Sequence, residues 1–254
     1  MDDISLLALA FDLAARAGET ILAVRAHGFD TRHKADSSPV TEADQQAELL
    51  IAAGLRAATP GLPVVAEEEI AAGFVPAQAA SFWCVDPLDG TREFAAGNDD
   101  FAVCIGLVRD GAPVLGVVGA PAQGAIYGGI VGRGAVKRSV AGEQPIAARY
   151  PPAEGIAVVA SRHHGKDPRM APFLARRPVA STLNIGSALK FCLLAEGRAD
   201  LYPRFGTTME WDTCASQAVL EAAGGAVRVV ETDAILHYGK PGWVNPHFYA
   251  TGRT

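Results

Sequence analysis

Asp86 and Asp89 stand three residues apart in the stretch Asp86-Pro87-Leu88-Asp89-Gly90-Thr91, which ends an apolar run, Phe82-Trp83-Cys84-Val85. Two carboxylates at the mouth of a strand can converge on one point, with the Leu88 carbonyl between them. Pro87 fixes its own φ and biases Asp86 toward extended geometry, while Gly90 permits a tight turn. The amides of Gly90 and Thr91 then face outward, where an anion can be cradled. Acids, a carbonyl and free amides suit hard divalent cations bridging to a phosphate. The plainer alternative is an Asx-turn, in which both carboxylates only satisfy local backbone donors.

Further acids stand where they can join this pair. Glu67 opens Glu67-Glu68-Glu69 after a short apolar run, and Asp212 lies in Glu210-Trp211-Asp212-Thr213. Glu67, Asp86, Asp89 and Asp212 together make an all-oxygen set that fits Mg²⁺ and not zinc. Two or three such ions clamping a phosphate would activate a water and stabilise the leaving oxygen. Each acid also has an ordinary reading: Glu67 in a solvated loop, Asp212 as an N-terminal helix residue favoured by the macrodipole. Asp44 follows Thr41 by three residues, which is capping-box spacing, or else it points into the metal site and orients water.

These residues need elements to carry them. Ile4, Leu7, Phe11, Ala14 and Ala15 predict an amphipathic helix over 3–26. A polar loop follows through 31–39, and a second helix opens at Thr41 and runs to about 58. A short strand is expected over 62–66, ending at the three glutamates. Runs 101–108 and 113–120 around Arg109-Asp110-Gly111 predict a hairpin, and 125–131 a further strand. Antiparallel pairing in the first half follows. From about 155 the pattern changes to strand–helix alternation: a strand at 156–160, a helix at 187–196, a helix from Asp212 to 223 stopped by Gly224-Gly225, and a strand at 227–231. This predicts two subdomains, 1–150 of α+β character with the Asp86–Thr91 loop and 151–254 of α/β character. The boundary falls in the Pro/Glu-containing segment near 142–154.

Composition narrows the partners. The net charge is −6 with no basic tract, which argues against a nucleic-acid polymer as ligand but leaves a small anion open. The acidic start Met1-Asp2-Asp3-Ile4 does not suit a signal peptide, and charges or glycines break every long apolar stretch, so no membrane span is expected. Cys84, Cys104, Cys192 and Cys214 lack zinc-ligand spacing and read as buried thiols of a reduced, cytoplasmic compartment. Monomer and homodimer are both open.

Taken together, Glu67-Glu68, Asp86–Thr91 and Glu210-Trp211-Asp212 resemble the inositol monophosphatase-like, Mg²⁺-dependent, lithium-inhibited phosphatases. The resemblance covers nearly the whole chain in order. It implies a layered α/β/α/β/α sandwich with two sheets, the type shared with fructose-1,6-bisphosphatase. It also implies metal ligation by Glu67, Asp86, Asp89, Asp212 and the Leu88 carbonyl, water positioning by Thr91 and Asp44, and phosphate held by the Gly90 and Thr91 amides. Attack on phosphorus would be direct and in line. Within the family, Gly186–Gly197, Leu201-Tyr202-Pro203-Arg204-Phe205-Gly206 and Lys240-Pro241-Gly242-Trp243-Val244-Asn245-Pro246 are similar to the CysQ-type 3′(2′),5′-bisphosphate nucleotidases. In those relatives the residues matching His164, Ser187, Lys190 and Arg204 line the nucleotide site, and a second phosphate does need such donors. Against this stand a surface position for Lys190 and Arg204 and a helix-capping role for Ser187.

The resulting expectation is a phosphomonoesterase acting on adenosine 3′,5′-bisphosphate (pAp) or its sulfated relative PAPS. The alternatives are the same chemistry on an inositol phosphate or sugar bisphosphate, and a non-catalytic metal- or anion-binding regulator. A serine hydrolase lacks its G-x-S-x-G elbow here, and a dinucleotide oxidoreductase lacks the βαβ context around Gly128–Gly132.

Overall fold

The structure is a computed structural model that describes residues 1–34, 39–76, 79–161 and 167–254. Helix α1 (Asp3–His27) leads into a short antiparallel pair, β1 (Thr31–His33) and β2 (Pro39–Thr41), and then helix α2 (Glu42–Ala58). There follow β3 (Val64–Ala66), α3 (Glu67–Ala71), β4 (Ser81–Asp89), α4 (Thr91–Ala95), β5 (Ala102–Arg109), β6 (Ala112–Ala120), β7 (Ala125–Ile130), β8 (Gly134–Ser139) and β9 (Gly142–Ile146). These seven strands form one sheet in chain order, antiparallel except for the parallel β3–β4 pair. The rest of the chain supplies β10 (Ile156–Ala160), α5 (Met170–Leu174), β11 (Val179–Asn184), α6 (Leu189–Ala195), β12 (Leu201–Arg204), α7 (Cys214–Ala222), β13 (Ala226–Val229) and β14 (Phe248–Thr251). Its five strands form a second, mixed sheet in the order β11-β10-β12-β14-β13.

The layers follow from strand parity. Along β4, Trp83 and Val85 face α1 and α2, in a core with Phe11, Leu13, Ile51 and Leu55. Phe82 and Cys84 face the other way, into a core shared with α6, α7 and the second sheet. There Phe191 of α6 stacks at 5.9 Å on Phe248 of β14 and meets Tyr202 of β12 edge-on at 5.2 Å. Phe173 of α5 packs on Tyr249 and Phe205 at the outer side. The order is therefore α1/α2, large sheet, α6/α7, small sheet, α5: the expected α/β/α/β/α sandwich.

Two glycines let α7 lie directly on the large sheet. Gly106 of β5 and Gly116 of β6 are register partners. A Cβ on Gly106 would meet Cys214 Sγ at 2.6 Å and Ala215 N at 2.8 Å, and one on Gly116 would meet the Ala215 carbonyl carbon at 2.8 Å. Any side chain there would push the helix outward. The close approach brings the residues just before α7, Asp212 among them, down to the end of β4.

Several expected boundaries shift, each for a physical reason. Glu67–Glu69 are not a loop at a strand end but the first turn of α3, where acids suit the helix dipole. The helix expected over 187–196 starts at Leu189, because Ser187 sits in the left-handed region at φ 54°. The helix expected from Asp212 starts at Cys214. The polar 31–39 stretch carries β1 and β2. Residues 142–146, expected near a boundary, are β9 of the large sheet. Strands β8 and β9 were not anticipated, since β8 is only partly buried and β9 is exposed along most of its length, so neither shows a run of apolar residues.

Candidate active site

The site begins with an irregularity in β4. Asp86 pairs with Cys104 of β5, but Asp89 pairs with Ala102, so three steps on one strand match two on the other. In an unbroken strand, side chains three apart face opposite ways. The extra residue of the bulge turns Asp89 to the side that Asp86 already faces with Phe82 and Cys84. Pro87 fits there, since a bulge tolerates a missing N–H. Asp86 is 2% exposed, and its Oδ1 accepts the Leu88 N–H at 3.0 Å, the local Asx bond. Gly90 then turns the chain at φ 94°, and α4 begins at Thr91.

Asp44 approaches from α2. Thr41 and Asp44 form the capping box that their spacing predicts: Asp44 Oδ2 accepts from Thr41 N at 2.8 Å and Oγ1 at 2.7 Å. Asp44 Oδ1 is left for Thr91, whose hydroxyl lies 2.9 Å away. Capping and site contact are thus made by different oxygens of one carboxylate. Burial raises the proton affinity of Asp44 against these hydrogen bonds.

Glu67, Asp89 and Asp212 line the same cleft, of about 590 Å³, as Gly90, Thr91, Ser187, Lys190 and Arg204. Asp86, Asp44 and Leu88 are buried. Burial, followed by the charges of Glu67, Asp89 and Asp212, drives Asp86 well above the ordinary carboxylate range. Burial, with Asp89 and Glu67, does the same to Asp212. Asp89 is pushed up to about 6, chiefly by burial, although Lys190 and a hydrogen bond from Ala188 N oppose it. The charges of Glu67, Asp89 and Asp212 all bear on Asp86, a repulsion that a divalent cation among them would relieve. Among the described residues no three acidic, His or Cys side chains already close into one ligand shell. At one edge of the cluster Lys34 Nζ lies 2.7 Å from Glu67 Oε1 and 2.6 Å from Glu68 Oε1. The donors are all oxygen and mutually repelling, which fits hard divalent ions.

The other face of the cleft comes from the second sheet and α6. Lys190 is buried, not superficial: its Nζ donates to the Ser187 carbonyl at 2.6 Å and sits 5.2 Å from the Tyr202 ring centre. Burial lowers it to about 8, with Asp89 pulling the other way. Ser187 Oγ accepts from Leu189 N at 3.3 Å, a weak cap, while its left-handed backbone turns Ala188 N toward Asp89. Arg204 donates to the Thr207 carbonyl at 3.1 Å. His164 lies outside the described residues.

Some supporting groups escaped the sequence reading. Glu48, one turn after Asp44 on α2, accepts the Glu68 and Glu69 N–H groups at 2.7 and 2.8 Å and so seats α3. Burial raises it to about 7. The i, i+4 spacing from Asp44 was the available signal. Lys34 and Tyr202 gave none beyond their place in quoted stretches.

Residues 2–247 match the sequence profile of the Inositol monophosphatase family. The chain is 42% identical over 240 residues to 3′(2′),5′-bisphosphate nucleotidase CysQ of Escherichia coli O157:H7, covering 93% of this chain and 95% of that one. It is 41% identical to the Salmonella typhimurium protein of the same name, covering 94% and 96%. Its fold superposes on CysQ from Bacteroides thetaiotaomicron with a TM-score of 0.81 at 33% identity, covering 98% of both chains. Profile, relatives and fold agree, and the chain belongs to the inositol monophosphatase family.

Proposed function

We propose that the chain is a Mg²⁺-dependent phosphomonoesterase that removes the 3′-phosphate of pAp or PAPS, in nucleotide recycling linked to sulfur assimilation. The observation that carries this reading is the pairing, in one cleft, of an acid cluster with basic side chains on its other face, Lys190 and Arg204 among them. A monoester needs only the first; a bisphosphate also uses the second. The similarity to relatives named 3′(2′),5′-bisphosphate nucleotidase supports the same substrate class.

Glu67, Asp86, Asp89, Asp212 and the Leu88 carbonyl would hold two or three Mg²⁺ ions. When bound, these ions would lower the proton affinity of a water and neutralise charge on the phosphoryl oxygens. The chain's own residues do the rest. Thr91 Oγ1 takes a proton from the attacking water as it passes its own to Asp44 Oδ1, 2.9 Å away. Asp44 stays oriented because Thr41 fixes its other oxygen. The Gly90 and Thr91 amides hold the phosphate that is cleaved. Lys190 and Arg204 bind the 5′-phosphate together with Ser187, and His164 is carried to this role by the family resemblance alone. Of two adjacent subdomains, 1–150 would contribute Glu67, Asp86, Leu88 and Asp89, and 151–254 would contribute Asp212 together with the nucleotide side.

The test is Mg²⁺-dependent phosphate release from pAp and from inositol 1-phosphate at matched concentrations, with and without lithium. Strong preference for pAp with lithium inhibition is expected. Preference for the inositol ester would overturn the substrate assignment, and no release from either would overturn the catalytic one.

A further inference from the structure

The stretch Lys240–Pro246 takes no part in the chemistry above, yet it folds back onto the loop that carries Asp212. Glu210, fully buried, accepts the N–H groups of Gly239 at 2.8 Å and Lys240 at 2.9 Å and pairs with the Lys240 ammonium at 2.6 Å. Its own N–H donates to the Trp243 carbonyl at 2.8 Å. Val244 bridges Met209 in antiparallel fashion. The buried Asn245 donates its backbone N–H to the Thr208 carbonyl at 2.9 Å. Its Nδ2 donates to the Met209 carbonyl at 2.7 Å and to Thr213 Oγ1 at 3.0 Å. Met209 in turn gives its N–H to Asp212 Oδ2 at 2.9 Å. On the far side the Trp243 ring meets Phe82 edge-on at 5.6 Å, on the strand that ends in Asp86 and Asp89.

Residues 208–212 belong to no regular helix or strand of their own, so the tail supplies the partners that fix their backbone. Freeing such a segment returns conformational entropy to it, which competes directly with holding a carboxylate in one place. We propose that Asn245 and Glu210 are positioning residues that fix Asp212 for divalent-cation binding; this rests on the reading of Asp212 as a metal ligand. Neither lines the cleft that Asp212 lines. Groups that orient a ligand in this way typically change metal affinity 10- to 100-fold when removed.

The experiment is calorimetric titration of Mn²⁺ into the metal-free full chain, comparing wild type, Asn245→Ala, Glu210→Gln and Asp212→Asn, with circular dichroism to establish folding. Asn245→Ala is expected to weaken Mn²⁺ binding about tenfold while its kcat recovers at saturating metal; should it not fold, Asn245→Ser is titrated in its place. Wild-type Mn²⁺ affinity in the folded Asn245 variant, alongside a weakened Asp212→Asn, would overturn the positioning role alone. Wild-type affinity in Asp212→Asn would remove the ligand reading and the positioning role with it.

Discussion

The Thr91 hydroxyl stands 2.9 Å from Asp44 Oδ1 and 3.0 Å from the Leu88 carbonyl, two acceptors for one donor. A hydroxyl has a single proton, so only one of these bonds is made at a time. Donation to Asp44 leaves the oxygen's lone pairs free for a water, whereas donation to Leu88 occupies a carbonyl that the proposed metal site uses. The buried carboxylate is thus the partner that makes Thr91 useful, and it ties α2 to the β4 turn.

Thr91→Val keeps the volume and removes the hydroxyl of the proposed proton relay. A fall in kcat of about 10²–10⁴ is expected, the usual worth of a positioned acid–base group, with KM little changed. Thr91→Ser should restore much of the rate. Steady-state kinetics on the three proteins check this, and a kcat near wild type in Thr91→Val would remove the relay.

Metal-free protein should lose stability as pH rises from about 4 to about 7. Asp89 is raised from 3.8 to about 6, and Glu48 and Glu68 from 4.5 to about 7, burial being the main cause in each. Across that window the folded state binds more protons than the unfolded chain, so deprotonation favours unfolding. Thermal melts in chelator should show Tm falling through this range, and excess Mg²⁺ should flatten the slope. A Tm in chelator that rises over the same range would contradict the clustered burial of these acids.

Lys190 gives an alkaline signature. Its proton is held only to about 8, so kcat/KM for a bisphosphate should decline above that pH, because this ratio reports the free enzyme. Lys190→Arg keeps the charge at all accessible pH and should remove the decline. A pH profile unchanged by that substitution would separate Lys190 from the titration.

Arg204→Ala should raise KM for pAp about 10- to 100-fold, the range of a lost hydrogen bond to a charged group. KM for a monophosphate should change far less. Equal effects on both substrates would take Arg204 out of the second-phosphate site.

How much of this could be read in the chain depended on how local the physics was. The Asp86–Thr91 turn, the Thr41–Asp44 capping box and the 101–120 hairpin are written in residues a few positions apart, and the structure has all three. The seating of α3 was missed because its amides are satisfied by Glu48, about twenty residues earlier on another helix, where only the spacing from Asp44 hinted at it. The start of α7 was misplaced because Asp212 spends its side chain on Met209 N in a turn that the distant tail holds. Lys190 read ambiguously for the same reason: a charged residue in an apolar helix becomes intelligible only once Ser187, Asp89 and Tyr202 surround it.

The glycine slot formed by Gly106 and Gly116 also bears on the order in which the molecule matures. Asp86 and Asp89 are carried by β4, paired with β5, whereas Asp212 reaches them from the stretch before α7, which packs on the slot and lies much later in the chain. A nascent or truncated chain therefore holds the acids of one sheet without their distant partner. On the proposed ligand set, a divalent ion would discriminate the finished molecule from every incomplete one, and by binding only that form would pull assembly to its end. The same ions that serve turnover would then also act as a proofreader of biogenesis.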